Sequence, residues 1–251
     1  KGSSLLRKNP MNPKDFQILI LSRDRLTPLR ELVTWLLDHG HTDLNIIDND
    51  SAYEPLLEYY EQLDGKVKIY RTGKNLLSKA LWCMPQAGRI VRPPFVYTDS
   101  DVVPTEDCPD NLVEFLWDTA QHLGMPNKVG MSLKIDDIPD HYSQADKVRT
   151  WEAQNWSRPI GKFRDVELYD AGIDTTFALY PRFQWFDLAA VRVGAPYSAR
   201  HLPWYMQSDC LTPEEQFYED RASKGCHTWG AHGVYSMAVA NHYEKAMQNA
   251  Q

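Results

Sequence analysis

Two aspartates, Asp99 and Asp101, flank a serine directly after the apolar run at 95–97 (FVY). Burying an unpaired carboxylate is costly, so both side chains need a cation, a salt bridge or water. Residues two apart on an extended strand point to the same side, so both carboxylates can reach one Mg²⁺ or Mn²⁺. A metal there would hold a diphosphate and stabilise the charge that it gains as a leaving group.

The chain before this acidic pair predicts the sheet that positions it. Apolar runs at 16–21, 44–48 and 67–70 are typical of buried strands, and the run at 95–97 is the fourth. Thr27 with Pro28, the capping-box pattern of Ser51 with Glu54, and Asn75 mark the starts of three intervening helices. Alternation of strand and helix indicates a parallel sheet with right-handed crossovers.

Parallel sheets bind ligands at the carboxyl ends of their strands. Residues at those ends, besides the acidic pair, are Ser22 and Arg23, the segment 48–50, and Arg71. Further elements are expected at 111–123 (helix), 129–135 (strand), 142–156 (helix) and 173–180 (strand), followed by segments at 191–204 and 213–220. No Gly/Ser/Pro linker divides the chain, which favours one domain over 11–251.

Composition excludes several classes of protein. The 251 residues are 43% hydrophobic, as in ordinary globular proteins, and carry a net charge of −7, which disfavours nucleic-acid binding. No apolar run approaches the ~20 residues of a membrane span. Residues 1–10 lack the apolar core of a signal peptide, so a disordered leader or a cloning remnant before Met11 and a cytoplasmic location are expected. Without a CxxC pair a zinc site is disfavoured; buried free thiols are favoured over a Cys210–Cys226 disulfide.

Several segments resemble the GT-A glycosyltransferases, among them small bacterial and viral enzymes. They are FQILILSRDR at 16–25, IIDNDS at 46–51 and above all FVYTDSDVVP at 95–104, with GIDTTFALYP at 172–181 and RHLPWY at 200–205. The resemblance implies an α/β, Rossmann-like single domain with a mixed, mainly parallel central sheet flanked by helices. It also implies metal-dependent transfer of a sugar from a nucleotide-sugar, which in this family is often a UDP-sugar, to a hydroxyl of a glycan or other acceptor. The same resemblance implies a nucleotide-binding half at 11–104 and an acceptor-side half at 105–251.

The same resemblance implies roles for individual residues. Those that would contact the nucleotide are Ser22, Arg23, Asp48, Asn49, Lys79, Asp99 and Ser100. Those that would bind Mn²⁺ or Mg²⁺ are Asp99, Asp101 and His201.

An inverting enzyme of this kind also needs a general base for the acceptor hydroxyl, whereas a retaining enzyme needs none. Asp174, before the threonines at a predicted strand start, is the first candidate, and His201 is the second. The pairs Glu214/Glu215 and Asp136/Asp137 remain open.

Other chemistry is compatible with parts of this pattern. The run at 99–103 fits D-x-D-x-[TV] of haloacid-dehalogenase-type phosphatases, in which the first Asp is a nucleophile, although that motif usually lies on the first strand. A nucleotidyltransferase usually has a glycine-rich loop after the first strand, and the run at 22–30 has no glycine. A non-catalytic carbohydrate-binding module is the third alternative.

Three further expectations concern residues outside these two motifs. Trp204 is the tryptophan expected to line an acceptor groove, and His227 and His232 could touch phosphate. The segment 142–171 is a candidate mobile lid.

Overall fold

A computed structural model of the chain describes residues 12–222 and 228–249. The strands are β1 Gln17–Ser22, β2 Leu44–Asp48, β3 Lys68–Arg71, β4 Phe95–Asp99, β5 Val102–Pro104, β6 Val129–Leu133, β7 Pro159–Phe163, β8 Val166–Asp170, β9 Ala178–Tyr180 and β10 Val191–His201. The helices are α1 Leu26–Asp38, α2 Glu54–Gln62, α3 Ala80–Cys83, α4 Ala87–Ile90, α5 Leu112–His122, α6 Ala145–Glu152, α7 Pro213–Arg221 and α8 Met237–Asn249. Met11, Cys226 and His227 lie outside the described residues.

One continuous sheet runs through both halves of the chain in the order β3-β2-β1-β4-β9-β6-β10-β8-β7, and β5 pairs with the far end of β10. Strands β1 to β4 are parallel to one another, as their alternation with helices predicts. Strand β9 then lies antiparallel between β4 and β6, while β10 runs parallel to β6. The fold class expected from the sequence, α/β with a mixed central sheet flanked by helices, is confirmed.

Alternation along β1 separates two cores, one on each face of the sheet. Ile18 and Ile20 join the larger core under α1, α2 and α5, whereas Leu19 and Leu21 join a smaller core under α3 and α4. Every residue of β1 and β2 is buried, which is typical of parallel strands covered on both faces. The carboxyl edge of these strands is therefore held rigidly from both sides.

Two of the expected helix caps are wrong, because distant side chains satisfy the backbone groups instead. Thr27 lies inside α1, and its amide and hydroxyl donate to the carboxylate of Glu214 at 2.9–3.1 Å. Ser51 does not cap α2, whose N-cap is Tyr53; Asp24 Oδ1 accepts from the amides of Ala52 (2.6 Å) and Tyr53 (3.0 Å). Asn75 Oδ1 accepts the amide of Leu77 at 2.9 Å, but only a 3-10 turn follows at Leu77–Lys79, and α3 begins at Ala80.

The second half departs further from expectation. The strand expected at 173–180 is only Ala178–Tyr180, and the segment before it is irregular. The candidate lid contains α6 and the hairpin β7–β8, and β8 pairs with β10. Cys83 and Cys210 are free but exposed, so of the described thiols only Cys108 is buried as expected. Among the described residues, no helix combines the length and apolar character needed to cross a bilayer.

A close backbone approach holds the irregular segment against the sheet. A Cβ atom added at Gly130 in β6 would lie 2.6 Å from the carbonyl oxygen of Phe177 and 2.7 Å from the Cβ of Ala178. Only glycine permits strand and segment to approach so closely. The segment that carries Asp174 and Thr175 is thereby fixed next to the end of β4.

Candidate active site at the acidic pair

Asp99 is the last residue of β4, and both its backbone and its side chain form hydrogen bonds with Thr175. Its amide donates to the carbonyl of Thr175 at 2.8 Å, and the Thr175 hydroxyl donates to Asp99 Oδ2. The next amide, that of Ser100, donates to the carbonyl of Leu21 at the end of β1 (2.9 Å). The turn that carries the acidic pair is therefore anchored to β1 and to the irregular segment before β9.

Asp101 lies between two basic side chains from distant parts of the chain. Its Oδ2 is 3.4 Å from Arg25 Nη1, and its Oδ1 is 3.6 Å from Nε2 of His201. His201 reaches this position because the end of β10 pairs antiparallel with β5, which follows Asp101 directly. Asp101 Oδ1 is buried and makes no hydrogen bond within the described part of the chain.

Burial, followed by repulsion from the carboxylate of Asp101, raises the pKa of Asp99 well above its ordinary value. A divalent cation would relieve this repulsion, and two carboxylates with an imidazole are donors that Mn²⁺ accepts. The buried Asp101 Oδ1, which accepts no hydrogen bond from the residues that the structure describes, is available to such a cation. The residue types therefore fit the expected metal, although no cluster of three His, Cys, Asp or Glu side chains stands ready-made in the described ranges.

Two cavities meet at the acidic pair. The larger, of about 710 Å³, extends from the pair towards α6 and β8, and the smaller, of about 100 Å³, lies beside the ends of β1 and β2. Five residues line both cavities: Arg25, Ser78, Asp99, Asp101 and Tyr218. A ligand that spans the two cavities must therefore pass over the carboxylates.

Of the residues expected to contact a nucleotide, Arg23, Asn49, Asp99 and Ser100 line the smaller cavity. Three others are not among its described lining. The carbonyl of Ser22 accepts the amide of Asn49 (2.9 Å), and its side chain is buried.

Asp48 and Lys79 have other surroundings. Asp48 Oδ1 accepts from the amide of Ser51 (3.2 Å) and from the hydroxyl of Tyr60 (3.3 Å), so it closes the turn after β2. Lys79 is exposed, and its amine lies 5.2 Å from the ring centroid of Phe186.

The candidate bases also separate by position. Asp174 and His201 line the larger cavity. Glu214 caps α1 and Glu215 completes the capping box of α7 with Thr212.

Asp136 and Asp137 are engaged elsewhere in the described structure. Asp137 accepts from Arg200 at 2.7 and 2.9 Å and from the hydroxyl of Tyr205 at 2.5 Å. Asp136 forms an exposed ion pair with Lys134 (2.9 Å). The geometry thus favours Asp174 and His201.

The environment of Asp174 suits proton transfer. Asp174 is exposed to the cavity, yet the many protein atoms around its carboxyl partly desolvate it and raise its pKa, and the positive charges of Lys128 and Lys79 oppose this shift. A carboxylate whose pKa lies above its ordinary value is a stronger base at neutral pH. Asp174 can therefore both bind a hydroxyl hydrogen and accept it.

Aromatic side chains form part of the larger cavity. Trp204 lines this cavity together with Trp151 and Trp229, but Trp204 and Trp229 are buried, with 2% and 7% of their surface exposed, whereas Trp151 is half-buried. The rings of Trp204 and Trp229 pack edge to face with centroids 6.2 Å apart. His232 is exposed and is not among the described lining residues. Apolar ring faces beside polar groups suit the carbon face of a sugar ring.

A buried ion pair forms another part of the same wall, and sequence reasoning missed it. Glu152 at the end of α6 lies 3.6 Å from Arg192 of β10, and both side chains are 6% exposed. Arg192 also donates to the carbonyl of Gly172 at 2.8 and 3.0 Å, two residues before Asp174. The pair ties α6, β10 and the Asp174 segment together.

Replacing Glu152 by glutamine is expected to lower the free energy of unfolding by about 3–5 kcal/mol, because it leaves the buried guanidinium of Arg192 uncompensated. The thermal midpoint would fall by about 2–4 °C for each kcal/mol lost. Calorimetry measures both quantities. Asp140→Asn is the matched control, since the side chain of Asp140 is 98% exposed beside Arg149. Equal losses in the two variants would contradict a structural role for the buried pair.

Three further site residues were missed for a common reason. Arg25 and Ser78 lie in turns and Tyr218 lies on a polar helix, and each enters the site through contacts with residues remote in sequence. The basic turn after the first strand was the only local signal, and it indicated Arg23 before Arg25.

No protein-family model matches this chain, and no curated protein sequence matches it. The crystal structure of S. aureus TarS 1-349 is similar over 51% of this chain and 39% of that one, so the match spans about two fifths of TarS, with 16% identity and a TM-score of 0.35. UDP-glucose pyrophosphorylase complexed with UDP-glucose is similar over 72% of this chain and 74% of that one, with 8% identity and a TM-score of 0.36. Its apo form is similar over 71% and 74%, with 11% identity and a TM-score of 0.35. Similarity at this level carries no argument about function, which rests on the site.

Proposed function

We propose that this chain is a metal-dependent glycosyltransferase that moves a sugar from a nucleotide-sugar, in the first instance a UDP-sugar, to a hydroxyl of a glycan or other acceptor. The observation that carries the proposal is the acidic pair at the junction of the two cavities. A nucleotide-sugar has the same three parts in order: a nucleoside, a diphosphate and a sugar. The larger cavity, of about 710 Å³, has room for a sugar and part of an acceptor.

The chain's own residues divide the work of the reaction. Mn²⁺ or Mg²⁺, when bound, would neutralise the diphosphate as it leaves, and Asp99, Asp101 and His201 are the residues that would hold it. Thr175 orients Asp99 through its hydroxyl. Asp174 accepts the proton of the acceptor hydroxyl as that oxygen attacks the anomeric carbon. The half-buried Trp151 of the cavity wall offers a ring face to a sugar, and the buried Trp204 and Trp229 exclude water behind it.

The alternative reactions fit the geometry less well. In a phosphatase of the haloacid dehalogenase type Asp99 would be the nucleophile, but the hydroxyl of Thr175 already donates a hydrogen bond to one of its oxygens. The turn after β1 contains no glycine with which to wrap a triphosphate, as a nucleotidyltransferase would. A non-catalytic sugar-binding module gives no reason for a basic carboxylate such as Asp174 in the cavity.

Calorimetry of UDP binding with Mn²⁺ and with EDTA tests the proposal directly. Micromolar binding that requires Mn²⁺ supports it and justifies screening UDP-sugars for slow hydrolysis. GDP, CMP and dTDP replace UDP in parallel titrations, since they test the base and not the reaction class. If none of these nucleotides binds in the presence of metal, the proposal is wrong.

The rate of transfer is expected to rise with pH on its acid side. Asp174 acts in its deprotonated form, so turnover increases as pH rises through the pKa of Asp174, which lies above its ordinary value. Lys79→Ala removes a charge that lowers this pKa, so the acid limb of turnover at saturating donor is expected to move to higher pH.

Lys66→Ala is the control for this shift, because Lys66 is an exposed lysine at the turn before β3. Its pH profile should match that of the native chain. An acid limb that stays in place in Lys79→Ala, or moves to lower pH, would exclude Asp174 as the titrating base.

A further inference from the structure

The best-placed cation at the junction of the cavities is Arg25, the N-cap residue of α1. Only 8% of Arg25 is exposed, which is unusual for arginine and requires compensation of its charge. It lines both cavities, as do Asp99 and Asp101. A ligand that extends from one cavity into the other therefore passes the guanidinium as well as the carboxylates.

The guanidinium has hydrogen-bonding capacity in reserve. It stacks on the ring of Tyr218, 3.8 Å from the centroid, and its Nη1 lies 3.4 Å from Asp101 Oδ2. Its Nε makes no hydrogen bond within the described part of the chain. Guanidinium groups prefer two parallel bonds to a carboxylate or phosphate, and the one long contact with Asp101, beside a hydrogen bond to Tyr218, falls short of that.

Arg25 and a divalent cation compete for the same carboxylate. A metal held by Asp101 would place a second positive charge on the carboxylate that already faces Arg25, and the two charges would repel each other unless anionic oxygens come between them. A diphosphate supplies such oxygens, and arginine binds phosphate in a two-pronged geometry.

We infer that Arg25 is a diphosphate-binding residue of this site, which pairs with Asp101 in the free protein and with the donor's diphosphate in the complex. The inference rests on the proposed function and names the protein group that binds the leaving group beside the metal. Tyr218 is a positioning residue, since its ring holds the guanidinium between the two cavities.

Helix α7 fixes this arrangement through one face. Glu214 binds the start of α1, Tyr218 stacks on Arg25, and Arg221 Nε donates to Asp24 Oδ2 at 3.0 Å. These residues are four and three positions apart and so share a helix face. The turn that carries Arg25 is therefore held in place by a helix that lies almost 200 residues later in the sequence.

Arg25→Met tests the inference, because methionine keeps much of the side-chain length and removes the charge. Calorimetry would measure UDP in the presence of Mn²⁺, uridine alone, and Mn²⁺ alone. We expect UDP affinity to fall by about 10- to 100-fold, as for loss of a charge-assisted hydrogen bond. Uridine affinity should stay within about twofold, and Mn²⁺ alone should bind more tightly because Asp101 loses a competing cation.

Opposite changes for UDP and Mn²⁺ cannot result from general damage to the site. Equal losses for UDP and uridine, unchanged UDP affinity, or weaker Mn²⁺ binding would each overturn the inference. Arg30→Met, on the exposed face of α1, is the matched control and should leave all three affinities unchanged.

Arg25→Lys covers the case in which Arg25→Met does not fold. Lysine keeps a positive charge beside Asp101 but lacks the two-pronged geometry, so a smaller loss of UDP affinity is expected, again without loss for uridine. If Arg25→Lys binds UDP as tightly as the native chain does, the two-pronged contact is refuted. If the native chain binds Mn²⁺ but no nucleotide, the proposed function fails and this inference falls with it.

Discussion

Asp101→Asn is expected to reduce sugar transfer by about 10³-fold or more, since a metal on the leaving diphosphate contributes several kcal/mol of charge stabilisation. Asparagine has nearly the same volume but cannot neutralise a cation. Binding of UDP should lose its dependence on Mn²⁺ in the same variant. Single-turnover transfer and calorimetry of UDP with and without Mn²⁺ measure the two effects.

The substitution also leaves the buried guanidinium of Arg25 without its carboxylate, so stability must be measured alongside. Asp101→Glu keeps a negative charge beside Arg25 and is therefore the comparison variant that should fold. Its longer side chain misplaces the carboxylate oxygens, so we expect it also to lose sugar transfer and Mn²⁺-dependent binding of UDP. Asp107→Asn, an exposed carboxylate shortly after β5, should transfer sugar at the native rate. Transfer by Asp101→Asn at near-native rate would show that Asp101 does not bind the metal.

Asp174→Asn is expected to lower turnover by about 10²- to 10⁴-fold, the range for loss of a general base. Asp174 lines the larger cavity and is not among the described residues that line the smaller one. The affinity for UDP with Mn²⁺ should therefore change by no more than about twofold. The acid limb of the pH profile should disappear together with the rate. A kcat measurement at saturating donor and acceptor, with UDP calorimetry, separates these effects.

Asp136→Asn is the matched control for Asp174→Asn, because Asp136 follows a strand of the same sheet but faces solvent beside Lys134. It should retain native turnover. A retaining enzyme needs no base. Unchanged turnover in Asp174→Asn would therefore contradict the inverting route without contradicting the proposed donor site. The loss of metal-dependent binding in Asp101→Asn and the loss of turnover alone in Asp174→Asn thus test different parts of the site.

The first four strands and their crossovers were predictable because their signals are local. Continuous apolar runs at β1, β2 and β4, with helices between them, indicate buried parallel strands whatever the rest of the chain does. The same reasoning placed Asp99 and Asp101 at the carboxyl edge, where the structure has them. The local sequence pattern described the hairpin β7–β8 and helix α8 poorly. These elements lack a strong hydrophobic periodicity and are held by packing against the second half of the chain.

Helix caps show where local reasoning fails. Ser51 and Glu54 have the spacing of a capping box, yet Asp24 binds the amides of Ala52 and Tyr53 just before α2, and Glu214 caps α1. A capping side chain needs only an oxygen within reach of the amides, and tertiary packing can supply that oxygen from anywhere in the chain. The capping box of α7, by contrast, is made by Thr212 and Glu215 of the same turn.

The sequence by itself determined the parallel half-sheet and the position of the acidic pair, since both depend on apolar periodicity and on residues adjacent in the chain. Only the tertiary structure decided which side chains surround that pair. Arg25 and His201 meet at Asp101, and Thr175 binds Asp99, across separations of about 76 to 100 positions. Such contacts follow from how β9 and β10 enter the sheet, and strand order is set by the packing of the whole chain rather than by any local pattern.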